Sequence, residues 1–144
     1  MAARVRISPA SVQDAAALSA LLTELEHPTP PEAVAERLPA LLADGDEALL
    51  AWDGDRAVGL MTLHVMCVLH RSGPIGRITS LVVAAEARGL GIGRALVEAA
   101  ETRFRARGCV YAEVTSNARR TEAHAIYEHL GYAKTHVRLW KTLG

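Results

Sequence analysis

Residues 86–95 read EARGLGIGRA, and neither a regular helix nor a regular strand accommodates Gly89, Gly91 and Gly93 within five positions. Glycine inside such an element costs about 0.5–1 kcal/mol relative to alanine, so this stretch is a break. The break falls between two well-patterned segments. ITSLVV (78–83) precedes it as an apolar run, and after it Ile92, Leu96, Ala100 and Phe104 recur at every fourth residue, one face of a helix. The first amides of that helix, with the positive end of its dipole, form an anion site. Glycine there lets a phosphate approach the main chain without meeting a Cβ. Arg88 and Arg94 flank the turn and add charge-assisted donors. The plainer alternative is a tight strand-to-helix turn; three glycines between arginines weigh toward the anion.

Two familiar phosphate motifs are excluded. A dinucleotide fingerprint requires G-x-G-x-x-G, but its last position is Arg94 counted from Gly89 and Leu96 counted from Gly91. No Gly-Lys-Ser or Gly-Lys-Thr occurs, which removes the P-loop. Arg88-x-x-Gly91-x-Gly93 after an apolar strand remains.

The rest of the chain sets the frame. Its 144 residues suit one domain, 1–144, and half of them are apolar, enough for a packed core. Sixteen basic and sixteen acidic residues balance, which argues against a dedicated nucleic-acid binder. Charged residues or histidine interrupt every apolar run, so no membrane span is expected, and MAARVRIS lacks the apolar segment of a secretory signal. Cys67 and Cys109 make no disulfide framework, and a reduced, cytoplasmic protein is the simplest reading.

RVRIS (4–8) alternates as a short strand, and Ser11 with Asp14 opens a helix over Val12–Glu26. HPTPP (27–31) stops it, and a second helix spans Glu32–Ala43 with Pro39 as a possible kink. Strands follow at about 47–52 and 56–68, joined through Asp53-Gly54-Asp55, then at Ile75–Val83. The helix after the glycines ends at Gly108; a strand (109–115), a helix (119–130) closed by Gly131 and an alternating strand (132–141) complete the order. Early hairpins and late crossover helices predict an α+β (mixed α/β) fold, a mixed sheet covered by helices.

With the glycine turn in place, ITSLVVAAEARGLGIG (78–93) resembles the acetyl-CoA-binding signature of the GNAT family of N-acetyltransferases. NARRTEAHAIYEHLGY (117–132) is similar to that family's strand-end asparagine and following helix. The likeness covers essentially the whole chain. It implies a GNAT-like fold: a twisted mixed sheet with splayed central strands, flanked by four helices. It also implies a diphosphate on the amides of Gly89, Leu90, Gly91, Ile92, Gly93 and Arg94, with Arg88 at the basic position. The pantetheine arm would lie beside Leu81, Val82 and Val83, and Asn117 would face the same slot. Tyr127 stands where the family often places a general acid for the departing thiolate; its plainer role is packing.

An amine must lose a proton before it attacks a thioester. Many relatives carry a carboxylate where this chain has Thr79 and Ser80, so the base is unassigned, with Glu113, His64, His70 and His124 as candidates. The loop VLHRSGPIGR (68–77) supplies His70, Arg71 and Arg77, a cationic cluster suited to an acidic group on the substrate, and His64 is a further substrate candidate. No HExxH or CxxC is present and no metal is expected. Several stretches look similar to bacterial aminoalkylphosphonate N-acetyltransferases, implying acetyl-CoA as cosubstrate and a small anionic amine as acceptor. A peptide N-acetyltransferase and a non-catalytic acyl-CoA-binding module are the alternatives. The family resemblance also implies a homodimer.

Overall fold

The computed structural model describes residues 5–115 and 121–144. The chain divides into two compact units at Val114/Thr115. In the first, β1 (Arg6–Pro9), α1 (Ala15–Glu24), α2 (Pro31–Ala43), β2 (Glu47–Asp53), β3 (Arg56–Met66), β4 (Ile75–Val83), α3 (Ile92–Ala106) and β5 (Tyr111–Val114) follow one another. The sheet order is β1-β2-β3-β4-β5, antiparallel except for the parallel β4–β5 pair. A mixed sheet with covering helices is the architecture the sequence predicts.

Local chemistry explains most boundaries. The Ser11 amide donates to the Asp14 carboxylate at 2.9 Å, and the first turn, Val12–Asp14, is 3-10 rather than α-helical. Pro31 begins α2, where its missing donor costs nothing, and Pro39 is accommodated on an exposed face. Helix α3 ends with Gly108 at φ +77°, where the Cys109 amide reaches back to the Phe104 carbonyl at 2.9 Å, a Schellman closure.

Four consecutive residues of β2, Ala48–Ala51, are buried, so both sheet faces are covered. Helix α3 lies on one face. A Cβ at Gly59 would meet Leu96 at 2.9 Å and Ile92 at 3.3 Å, so sheet and helix are in direct contact there. Ile92, Leu96, Ala100 and Phe104 are all buried, as their spacing predicts, joined by Val97. On the other face, α1 packs against β3 and β4, and α2 against β2.

The second unit contains α4 (Thr121–His129), closed by Leu130 and by Gly131 at φ +94°. The strand expected over 132–141 is not formed: residues 132–144 have no regular secondary structure, and Val137, Leu139 and Trp140 are exposed. Alternation favours a strand only where a ladder partner receives its amides and carbonyls, and the pattern alone does not supply one.

Candidate functional site

Two features of the first unit converge at the C-terminal end of β4. The first is the turn. Gly89 and Gly91 adopt φ of +78° and +81°, the left-handed region that disfavours side chains, and a Cβ on either would meet nothing within 4 Å. Their main chain therefore faces open space. The first intrahelical bond of α3 runs from the Ala95 amide to the Gly91 carbonyl at 3.0 Å. The amides of Ile92, Gly93 and Arg94 precede it, and helix geometry leaves them without intrahelical acceptors. Of the flanking cations, Arg88 donates through Nε to the Val83 carbonyl at 3.2 Å, and Arg94 donates to Glu98 at 2.9 Å along the helix. Leu90 is exposed at the tip of the turn.

The second feature is a divergence of strands. The β4–β5 ladder runs from Ile75↔Tyr111 to Ile78↔Val114 and goes no further among the described residues. Ser80–Val83 keep β3 on one side and have no strand partner on the other among the described residues. The family resemblance implies a splay of the central strands here, and Leu81, Val82 and Val83 lie along the edge that the described β5 does not reach. The position of divergence coincides with a bulge: Thr62 pairs with Ser80 and Leu63 with Ile78, leaving Thr79 as the extra residue. The Thr62 hydroxyl lies 2.6 Å from that of Thr79 and also bonds that of Ser80.

A row of ionisable side chains crosses the sheet beside this bulge. Gly76 points at Phe104 of α3, so strand alternation turns Arg77 to the opposite face. His64 on β3 and Glu113 on β5 are the register partners of Arg77 and share that face. Arg77 donates through Nε to Glu113 at 2.5 Å, and His64 Nδ1 lies 2.6 Å from Asp46 Oδ1. Asp46 is a residue that sequence reasoning missed, because nothing in its sequence neighbourhood announces a pairing with a histidine eighteen positions later.

The remaining sequence candidates are distributed more widely. Arg71 stacks over the Tyr111 ring at 5.3 Å, and both His70 and Arg71 are exposed on the loop before β4. Tyr127 is buried on α4, its ring edge-on to Tyr132 with centroids 5.9 Å apart. His124 is half-buried on the same helix. Asn117 lies outside the described residues. Among the described residues, no helix is long and apolar enough to cross a membrane.

Comparison with known proteins gives this geometry its context. The sequence matches the acetyltransferase (GNAT) family over residues 15–132. A curated relative, the aminoalkylphosphonate N-acetyltransferase of Salmonella typhimurium strain LT2, is 37% identical over 94 residues, 65% of this chain. The match spans 61% of that relative's length. Among solved structures, a transcriptional regulator from Bacillus halodurans C-125 superposes with a TM-score of 0.90 at 24% identity, covering 97% of this chain and 100% of that one. Glucosamine-6-phosphate N-acetyltransferase from Arabidopsis thaliana superposes with a TM-score of 0.84 at 18% identity, covering 99% and 100%. At these identities the structural likeness speaks for the fold, and the sequence match speaks for the lineage: the chain belongs to the acetyltransferase (GNAT) family.

Proposed function

We propose that the chain transfers an acetyl group from acetyl-CoA to the primary amine of a small anionic molecule, of the aminoalkylphosphonate class. One observation carries the reading: the open, left-handed Gly89–Gly91 turn and the first amides of α3 directly follow a β4 edge that β5 has left unpaired. The turn suits a diphosphate, and the unpaired edge suits an extended, amide-bearing arm that bonds it as an added strand would. Acetyl-CoA supplies the acetyl group as a thioester. Arg88 retains further guanidinium donors beyond the one given to Val83, which supports a role at an anion on the adjoining turn. An amide at the unpaired edge, that of Leu81 or of Val82, stabilises the negative oxygen that develops on the attacked carbonyl. In the same reading Tyr127 is the general acid that protonates the departing thiolate. A phenol is suited to this because its O–H is a donor.

The named activity of the Salmonella typhimurium relative supports a phosphonate-bearing amine. So does the placement of His70 and Arg71 on the exposed loop before β4. Arg77 contributes less to anion binding than its sequence position implies, because Glu113 already receives its guanidinium. A cytoplasmic homodimer completes the reading.

The test is calorimetric titration with acetyl-CoA, followed by thiol release across a panel of amines. The expected result is saturable binding, with faster release for aminoalkylphosphonates than for the same amines lacking phosphonate. Tight binding with no release for any amine assigns an acyl-CoA-binding module instead. Transfer to peptides alone assigns the peptide reading.

A further inference from the structure

We infer that His64, oriented by Asp46, is the group that removes the proton from the acceptor amine. The inference rests on the acetyl-transfer reading and supplies the base that Thr79 and Ser80 do not.

Three observations carry it. The Asp46 carboxylate, acceptor-only when ionised, lies 2.6 Å from His64 Nδ1, so Nδ1 bears the hydrogen. In the neutral ring that bond selects the tautomer in which Nε2 holds the lone pair, the form a proton acceptor requires. The pair is also held in place from behind. Gly45 and Glu47, on either side of Asp46, are both tied to α3: Arg107 donates to the Gly45 carbonyl at 3.0 Å, and Arg103 and Arg107 both pair with Glu47. Asp46 is therefore anchored by its two neighbours while its own side chain serves the opposite sheet face. Finally, His64 stands on the same face as the Thr62/Ser80 pair at the strand divergence, two residues further along β3 and so about 7 Å away. Its side chain is 40% exposed, open enough for a ligand to reach.

The other candidates of the same unit are less suited. Glu113 is bonded to Arg77, and His70 is exposed on a loop with no orienting partner among the hydrogen bonds of the described residues. The charged groups facing the His64 ring are Asp46 on one side and Arg77 on the other, with Glu113 beyond it. Because Arg77 and Glu113 neutralise each other, the row keeps the single negative charge of Asp46, which favours the approach of an ammonium group. Nε2 takes a proton from the substrate ammonium, leaving the electron pair on nitrogen. That nitrogen then forms the C–N bond to the acetyl carbon as the C–S bond breaks. The acylated nitrogen loses its second proton as the amide forms, the leaving thiolate takes one up, and His64 returns the proton it removed to solvent, so one proton is released overall.

The experiment compares His64→Ala, His64→Gln and Asp46→Ala with the parent protein, using calorimetry for acetyl-CoA and thiol release with a reactive amine. Expected for His64→Ala is unchanged acetyl-CoA affinity and a kcat lower by about 100-fold near neutral pH, the scale typical of a positioned base. Added imidazole should restore part of the rate. Raising the pH should restore more, because bulk solvent then deprotonates the amine. His64→Gln, which preserves polarity, should lose as much but gain nothing from imidazole, since the ring's space stays filled. Asp46→Ala should lower kcat by about tenfold without raising the KM for acetyl-CoA, consistent with a positioning residue. Parental rates in the His64 variants, or a loss that neither imidazole nor high pH relieves in a folded His64→Ala that binds acetyl-CoA, overturns the inference and leaves acetyl transfer standing. A parent protein that binds no acetyl-CoA overturns both.

Discussion

Gly76 of β4 lies directly beneath the ring of Phe104 of α3, at a point where a Cβ would stand 2.3 Å from the ring carbons. No side chain larger than hydrogen fits unless the helix moves. The same contact shows that Gly76 faces α3 and Arg77 the opposite face, so it assigns the sides of the whole sheet. Gly76→Ala should destabilise the protein by about 1–3 kcal/mol through overpacking. Phe104→Ala should cost about 3–5 kcal/mol through the cavity it leaves. The double variant should cost less than the sum, since removing the ring makes room for the methyl group. Urea denaturation of the three variants measures this coupling, and strict additivity would show that α3 is free to shift.

Gly91 tests a different kind of constraint. Space around it is open, so crowding within the protein is absent, but its φ of +81° is strained for any L side chain. Gly91→Val should therefore cost about 1–2 kcal/mol in stability. It should also weaken acetyl-CoA binding substantially, because the branched side chain occupies the approach to the α3 amides. Calorimetry on the folded variant separates the two effects. Undiminished affinity would remove the turn from the site.

The elements most legible in the sequence are those whose pattern and local chemistry agree. The four-residue spacing of Ile92, Leu96, Ala100 and Phe104 identified the buried face of α3, and Gly108 identified its end. The strand boundaries held to within a few residues because turn residues mark them. The tail did not follow its pattern: Thr135–Lys141 alternates like a strand, yet alternation describes a surface to be received and not the partner that receives it. Site legibility divides in the same way. The glycine turn is contiguous in sequence and legible there as the break between β4 and α3. The Asp46–His64 pair arises where β2 meets β3 and the Arg77–Glu113 pair from the β4–β5 register, while the bulge at Thr79 decides that His64 falls opposite Arg77. A register is a property of the folded sheet, and one residue of slip changes every partner.

The two cysteines should differ in reactivity. Burial raises the Cys109 thiol above its usual pKa; nearby Arg107 opposes the shift and Cys67 adds to it. Cys67 is exposed at the end of β3. Because the thiolate is the nucleophile and Cys67 is the more accessible sulfur, Cys67 should be alkylated faster, and Cys109 should gain rate only as the pH rises beyond the ordinary thiol range. Peptide mapping after timed iodoacetamide treatment reads both rates. Faster modification of Cys109 would show that the segment between α3 and β5 opens readily.

Tyr127 gives the sharpest division between binding and chemistry. Its phenyl ring is buried edge-on to Tyr132, and the Tyr132 amide donates to the Tyr127 carbonyl at 2.9 Å, so ring and backbone both help hold the end of α4. Tyr127→Phe keeps the ring and that backbone bond and removes only the hydroxyl. As a general acid, the hydroxyl should matter most when the leaving group is a poorly stabilised thiolate. Turnover should fall by about 10–100-fold while acetyl-CoA affinity stays within about twofold of the parent, and a more acidic thiol leaving group should narrow the deficit. An equal loss for strongly and weakly acidic leaving groups, or a loss of acetyl-CoA affinity in its place, would assign the hydroxyl to packing or binding.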